Sequence, residues 1–162
     1  MSVNEPFADF FNYLITNFKN KTTYVTNPDN IIIGETVDIA GKPDTYFPRL
    51  EVLVDKLKFD GYIDQEQIKQ GFRFTVVGIF RRESNDVVAQ DMFNLMGFAR
   101  ETIKIVNQAN TDRRTGETIC DGFIQIDGYP EIFMDHEMFP KTSTFVLAAE
   151  ADIELSDTYT NN

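Results

Sequence analysis

The chain has no tryptophan, one cysteine and one histidine in 162 residues. A single thiol, Cys120, closes no internal disulfide, and without a Cys-x-x-Cys pair there is no thiolate framework for a structural zinc. No G-x-x-x-x-G-K-[ST] or G-x-G-x-x-G stretch occurs, so the sequence offers no glycine-rich cradle for a nucleotide phosphate. Basic residues are scarce: 15 Lys and Arg stand against 26 Asp and Glu, a net charge of −11. Tight nucleic-acid binding rests on cations that neutralise phosphates, so this balance argues against it, and equally against an anionic membrane surface. No apolar run approaches the length of a membrane span. The opening MSVNEPFADFF has no basic segment leading into an apolar one, so no signal peptide is expected, and a reducing cytoplasm is the expected place of synthesis.

Phenylalanine is what the chain has in quantity, with fifteen copies and 42% hydrophobic residues overall. A chain of this length fits one domain, 1–162, that buries about two thirds of its unfolded surface. Within residues 5–19, Phe7, Phe10, Phe11, Leu14 and Phe18 form one stripe of an amphipathic helix, with Asn4 as cap, Glu5 at the positive end and Pro6 in the first turn. A strand-like pair at 22–26 and 31–33 is broken by the turn signal NPDN, and 34–44 reads as a loop.

Residues 46–59, YFPRLEVLVDKLKF, read as a long strand in which Leu50, Val52 and Val54 share a face before the apolar set slips to Leu57 and Phe59. A one-residue slip in a period of two predicts a bulge or a bend near Asp55. The next strand, 71–82, sets Phe72, Phe74, Val76 and Phe80 against Arg73, Thr75, Val77, Ile79 and Arg81. A long helix is expected over 85–108, capped by Ser84 or Asn85, with Val88, Met92, Leu95, Met96, Ala99, Ile103 and Val106 as its buried stripe. NQANTDRRTGE reads as a charged loop, followed by short strands near 118–127 and 129–134, a long strand at 142–155 and a loose tail over about 156–162. Helices and strands without βαβ alternation predict an α+β fold: a mostly antiparallel sheet with two helices packed on one face.

The candidates for chemistry are few. His136 lies between Asp135 and Glu137, but neighbours in an extended segment point to opposite faces and do not converge on a metal. Cys120 has no adjacent base to activate it, and Asp121 and Asp127 read as caps and turns at strand ends. No catalytic residue, metal ligand or cofactor is assigned, and the chain is read as a non-enzyme. The pairs Arg81–Arg82 and Arg113–Arg114 read as rim charges in loops that meet an acidic neighbour.

The stretch STFVLAAEADIELSD, 143–157, poses the main question. Phe145, Leu147, Ala149, Ala151, Ile153 and Leu155 fall on one face of a strand, while Glu150, Asp152 and Glu154 follow one another on the other. Successive same-face residues are about 6.8 Å apart, so each pair of carboxylates repels by only about 0.6 kcal/mol in water. The acids either pair across strands with Arg73 or Arg81, face solvent, or meet another subunit.

The order of elements carries a resemblance. An N-terminal amphipathic helix, a loop, Tyr46-Phe47-Pro48 leading into RLEVLVDKL, a second strand, a long helix, a polar loop and a final alternating acidic strand together resemble the tail terminator (tail completion) proteins of long-tailed bacteriophages, the lambda type included. The resemblance spans about residues 5–155 and implies a virion protein of the tail or neck, assembled in the host cytoplasm. It implies a homo-oligomer, a hexameric ring, that ends the tail tube and meets the tube protein on one side and the head–tail connector on the other, with DNA passing through. In such a ring Glu150, Asp152 and Glu154 would line the channel as a wall that repels phosphate. Arg81, Arg82, Arg113 and Arg114 would serve partner contacts. The alternatives are a phage neck or head-completion protein, and a small α+β binding module unrelated to viruses.

Overall fold

A computed structural model describes residues 6–36, 38–62, 67–114, 123–127, 132–138 and 141–156. Asn4, Glu5, Cys120, Asp121 and the tail past 156 lie outside the described residues. In chain order the elements are α1 (Pro6–Lys21), β1 (Ile31–Ile33), β2 (Arg49–Tyr62), β3 (Gln67–Arg81), α2 (Ala89–Arg114), β4 (Phe123–Asp127), β5 (Ile132–Glu137) and β6 (Thr142–Ser156). The fold is α+β, with a mostly antiparallel sheet in the order β1-β2-β3-β6-β4. Among these strands only β1 and β2 run parallel. β3 pairs along the whole of one edge of β6, so β4 and β5 follow one another along its other edge, opposite 150–153 and 142–147.

The alternation read from the strands decides which face is buried. Leu50 and Val52 on β2, Phe72, Phe74 and Val76 on β3, and the 145–153 odd-numbered set on β6 are all buried in one cluster with both helices. α1 contributes Phe10, Phe11, Leu14 and Phe18, and the edge-on contacts of Phe10 and Phe11 with Phe72 and Phe74, at 5.5–5.8 Å, seat it over β3. Such pairs add about 0.5–1.5 kcal/mol each beyond the area they bury. α2 lies over β6, where Phe98 meets Phe145 edge-on at 4.9 Å. Phe145 in turn covers Gly78, its cross-strand partner, where a methyl group would overlap the ring. Both helices therefore occupy the same side, and among the described residues the other side of the sheet is covered where 34–36 and 38–48 cross it.

That crossing segment is held by two arginines. Arg49 and Glu51, both buried on the open face, form an ion pair at 2.9 Å, and Glu51 also accepts from the Thr36 backbone N–H and hydroxyl. Tyr46 lies over the Arg49 guanidinium at 3.8 Å, and Arg81 lies over Phe47 while donating to Asp44 at 2.8 Å. The remaining open face, toward β6 and β5, is left uncovered by the described residues.

Several local expectations differ from the structure. Residues 22–26 form no strand, because Glu101 on α2 accepts from the Thr22 hydroxyl and from the Thr23 N–H and hydroxyl, drawing the segment to the helix layer. β2 and β3 run further than predicted, to Tyr62 and from Gln67. α2 starts at Ala89 and continues through Arg114, so NQANTDRR is helix rather than loop. Its start is fixed by the Asp91 carboxylate, which accepts from the Val88 N–H at 3.0 Å, and not by Ser84 or Asn85. The buried stripe is Leu95, Phe98, Ala99, Thr102, Ile105, Val106 and Ala109, while Val88, Met92 and Met96 are exposed. Two anchors set that rotation: Phe98, stacked on Tyr24 and against Phe145, and Asn110, whose amide bonds both the N–H and the carbonyl of Ile126 at 2.8 and 2.9 Å. Asn110 thereby occupies the outer edge of β4 as a neighbouring strand would.

Candidate functional site

The pairing most suggestive of catalysis is His136 with Ser143, whose Nδ1 and Oγ are 2.7 Å apart. Ser143 is completely buried, however, and its hydroxyl also accepts from Arg82 Nη1 at 3.1 Å. No substrate reaches that oxygen. The group is a clasp: Arg82 also donates to the carbonyls of Thr142 (2.6 Å), Glu137 (2.8 Å) and Asn85 (3.2 Å), tying the end of β3 to the β5–β6 turn and to the approach to α2. Beside it the Asp135 carboxylate raises the Glu137 carboxyl above the usual range, by hydrogen bonding first and by charge second. Among the described residues no three His, Cys, Asp or Glu side chains come together as a metal site.

A cleft of about 730 Å³ opens at this end of the sheet, walled by Tyr24, Phe47, Phe80 and Phe98. Some of the polar groups along it are engaged, Arg81 Nη1 with Asp44, Arg82 Nη1 and Nη2 with backbone carbonyls and Thr23 with Glu101, while the buried Nε atoms of Arg81 and Arg82 have no partner among the described residues. It is a seam between elements, with Arg81, Arg82 and Lys141 along it beside Asp44 and Glu83.

The arginine pairs divide. Arg82 is only 3% exposed and is committed to its own chain, which corrects its reading as a rim charge in a partner-contact loop. Arg81 is the last residue of β3 and has its acidic neighbour, Asp44, within the chain. Arg113 is exposed, and Arg113 and Arg114 end α2 instead of standing in a loop.

The acidic row on β6 lies on the open face, as its alternation predicts. The register gives it counterparts: Glu150 stands opposite Arg73, Glu154 opposite Lys69, and Asp152 opposite Gly71. Arg73 is turned to the other side. Its Nε donates to both Asp55 oxygens at 3.1 and 3.2 Å, and Thr75 donates to the same carboxylate at 3.0 Å. Partial burial works to raise the Asp55 carboxyl, but these bonds and the guanidinium charge hold it below the usual range. Asp55 is the residue skipped between Val54 and Lys56 in the β2–β3 register, so the bulge read from the sequence also aims this carboxylate at Arg73. Glu150 is left exposed with no ion pair among the described residues, and Arg81 pairs with none of the three acids. In the register the row therefore faces β3 positions held by Arg73, Gly71 and Lys69.

Before the acids, the same face is apolar. Val77 and Val146 stand opposite each other, half-buried, and Phe133 on β5 lies opposite Val146 and is 63% exposed. On the other layer, α2 exposes Phe93 (62%) and Met96 (53%) on its outer side, followed along the helix by exposed Arg100 and Lys104. Each acid of α2 is spent within the chain: Asp91 on the Val88 N–H, Glu101 on Thr22 and Thr23, Asp112 on the Tyr13 hydroxyl and Gln108. In a chain of net charge −11, the outer side of α2 from Phe93 to Lys104 is apolar and then basic. Periodicity alone hid this surface, because it counted Met96 as core and passed over Phe93. No family model matches the sequence, and no curated protein matches it significantly.

Proposed function

We propose that the chain is a structural protein that joins copies of itself into a closed ring, in the role of a phage tail terminator: the ring ends the tail tube, offers its far side to the head connector and leaves a central passage for DNA. One observation carries the reading. Among the large apolar side chains that the described residues leave exposed, two sets lie on opposite layers, Phe133 on the open sheet face and Phe93 with Met96 on the outside of α2. A two-fold dimer needs one patch that fits itself, whereas a ring needs two unlike patches that fit each other. The clasp around buried Ser143, which turns the His136–Ser143 pair to holding strand ends together, favours assembly over catalysis. Of the two roles open to the acidic row in a ring, channel wall and subunit contact, the second accords with Arg73 and Lys69 standing across from Glu150 and Glu154.

Light scattering after size exclusion, with negative-stain imaging of the same fractions, tests the proposal. Annular particles of one fixed copy number are expected. A strict monomer at every concentration, as a small binding module would give, or a two-fold dimer that grows no further overturns it.

A further inference from the structure

The two surfaces carry an order as well as a composition. Along β6 the open face passes from Val146, with Phe133 beside it, to Glu150 and Asp152. Along α2 the outer side passes from Phe93 and Met96 to Arg100 and Lys104. At the rise of a strand, Glu150 lies about 14 Å beyond Val146. At the rise of a helix, Lys104 lies about 12 Å beyond Met96 and about 16 Å beyond Phe93. Lys104 therefore lies about as far beyond its apolar pair as Glu150 does beyond Val146, in the same chain direction and with the opposite sign of charge, and Arg100 lies between.

We infer that the outer side of α2 in one copy docks on the open sheet face of the next, Phe93 and Met96 against Phe133 and Val146, and Arg100 and Lys104 against the acidic end at Glu150 and Asp152. The inference rests on the ring reading and adds which surfaces meet and in which direction. Charge complementarity selects the occupant. Chains of net charge −11 repel one another at long range, so self-association needs a local surface of the opposite sign, and the outer side of α2 supplies one. The arrangement of partners supports this from both ends. Arg73 is occupied by Asp55, which leaves Glu150 without an ion pair among the described residues, while Arg100 and Lys104 likewise have none there. Glu101, the acid of α2 within a turn of both bases, accepts from Thr22 and Thr23 instead.

The test is a charge exchange in the full chain. Lys104→Glu and Glu150→Lys each set like charges against each other across the contact, and each is expected to weaken self-association about tenfold or more. The double variant restores opposite charges at every contact and is expected to assemble like the original. Mixing the two single variants is expected to give mixed assemblies only, since each sheet then faces a helix of opposite sign. Both positions are exposed, so melting temperatures of the variants should stay with that of the parent chain. If the parent assembles and the single exchanges leave association unchanged, or if the double variant stays as weak as the singles, this docking is wrong while the ring stands. If the parent never assembles, the ring reading fails and takes the docking with it.

Discussion

At the scale of single residues, the chain is held at one end by a buried cation with no buried anion beside it among the described residues. Arg82 is 3% exposed, and three backbone carbonyls and Ser143 accept from its two terminal nitrogens. A guanidinium reaches all four in its plane; an ammonium has three donors at a single point and cannot span them. Arg82→Lys is therefore expected to cost about 2 kcal/mol or more, since hydrogen bonds to a charged group contribute about 1.5–3 kcal/mol and the abandoned carbonyls stay buried. The check is a urea midpoint that falls while the slope of the unfolding transition is unchanged. Gly78 makes a second point about fit. Phe145 lies where a side chain at 78 would begin, so Gly78→Ala is expected to lose about 1–3 kcal/mol as ring and strand move apart. Combining Gly78→Ala with a smaller residue in place of Phe145 should recover part of that loss, which separates overlap from any effect of strand propensity.

At the scale of elements, what the sequence made legible was what period and composition carry alone. The stripe of α1, the faces of β2, β3 and β6 and the bulge at Asp55 all follow from alternation, because burial is decided locally once a face is chosen. The rotation of α2 was not legible. Met92 and Met96 fit a buried stripe as well as Phe98 and Ile105 do, and the choice came from distant partners: Phe145, Tyr24 and the edge of β4. The charged stretch 107–114 looked like a loop for the same reason, since its Asp112 is engaged by Tyr13 on the other helix, a bond invisible without the fold. The meaning of the acidic row needed the register, which alone shows Arg73 across from Glu150 and committed to Asp55.

The bond between the helices makes a prediction about pH. The Tyr13 hydroxyl first, then Gln108 and the charge of Lys21, hold the Asp112 carboxyl below its usual range. A carboxyl lowered by folding stabilises the fold fully above its unfolded pKa of about 4, and that contribution is lost as pH falls through the lower, folded value. Tyr13→Phe removes the largest part of the effect, so the variant should melt lower at neutral pH, by under about 1 kcal/mol because water screens the site. The gap should close in acid. Melting curves from neutral to strongly acidic pH check this, and a gap that stays constant would mean the tyrosine acts through packing alone.

For the whole molecule, the balance between a repelling net charge and a local attraction can be read through salt. The screening length is about 10 Å at 0.1 M and about 3 Å at 1 M ionic strength. If Lys104 of one copy meets the Glu150 end of the next, the loss caused by Lys104→Glu is electrostatic and sits at the rim of a contact, so raising the salt should shrink the difference between variant and parent. Phe133→Ala removes apolar area from the same contact, and the loss it causes should persist at high salt, because burial of apolar surface is not screened. Measured side by side as association constants over a salt series, the two variants should diverge: the lysine variant approaches the parent while the phenylalanine variant keeps its distance. A lysine variant whose deficit stays constant across the series would place Lys104 outside the contact and remove the charge register that orients one copy on the next, even if the apolar surfaces still meet.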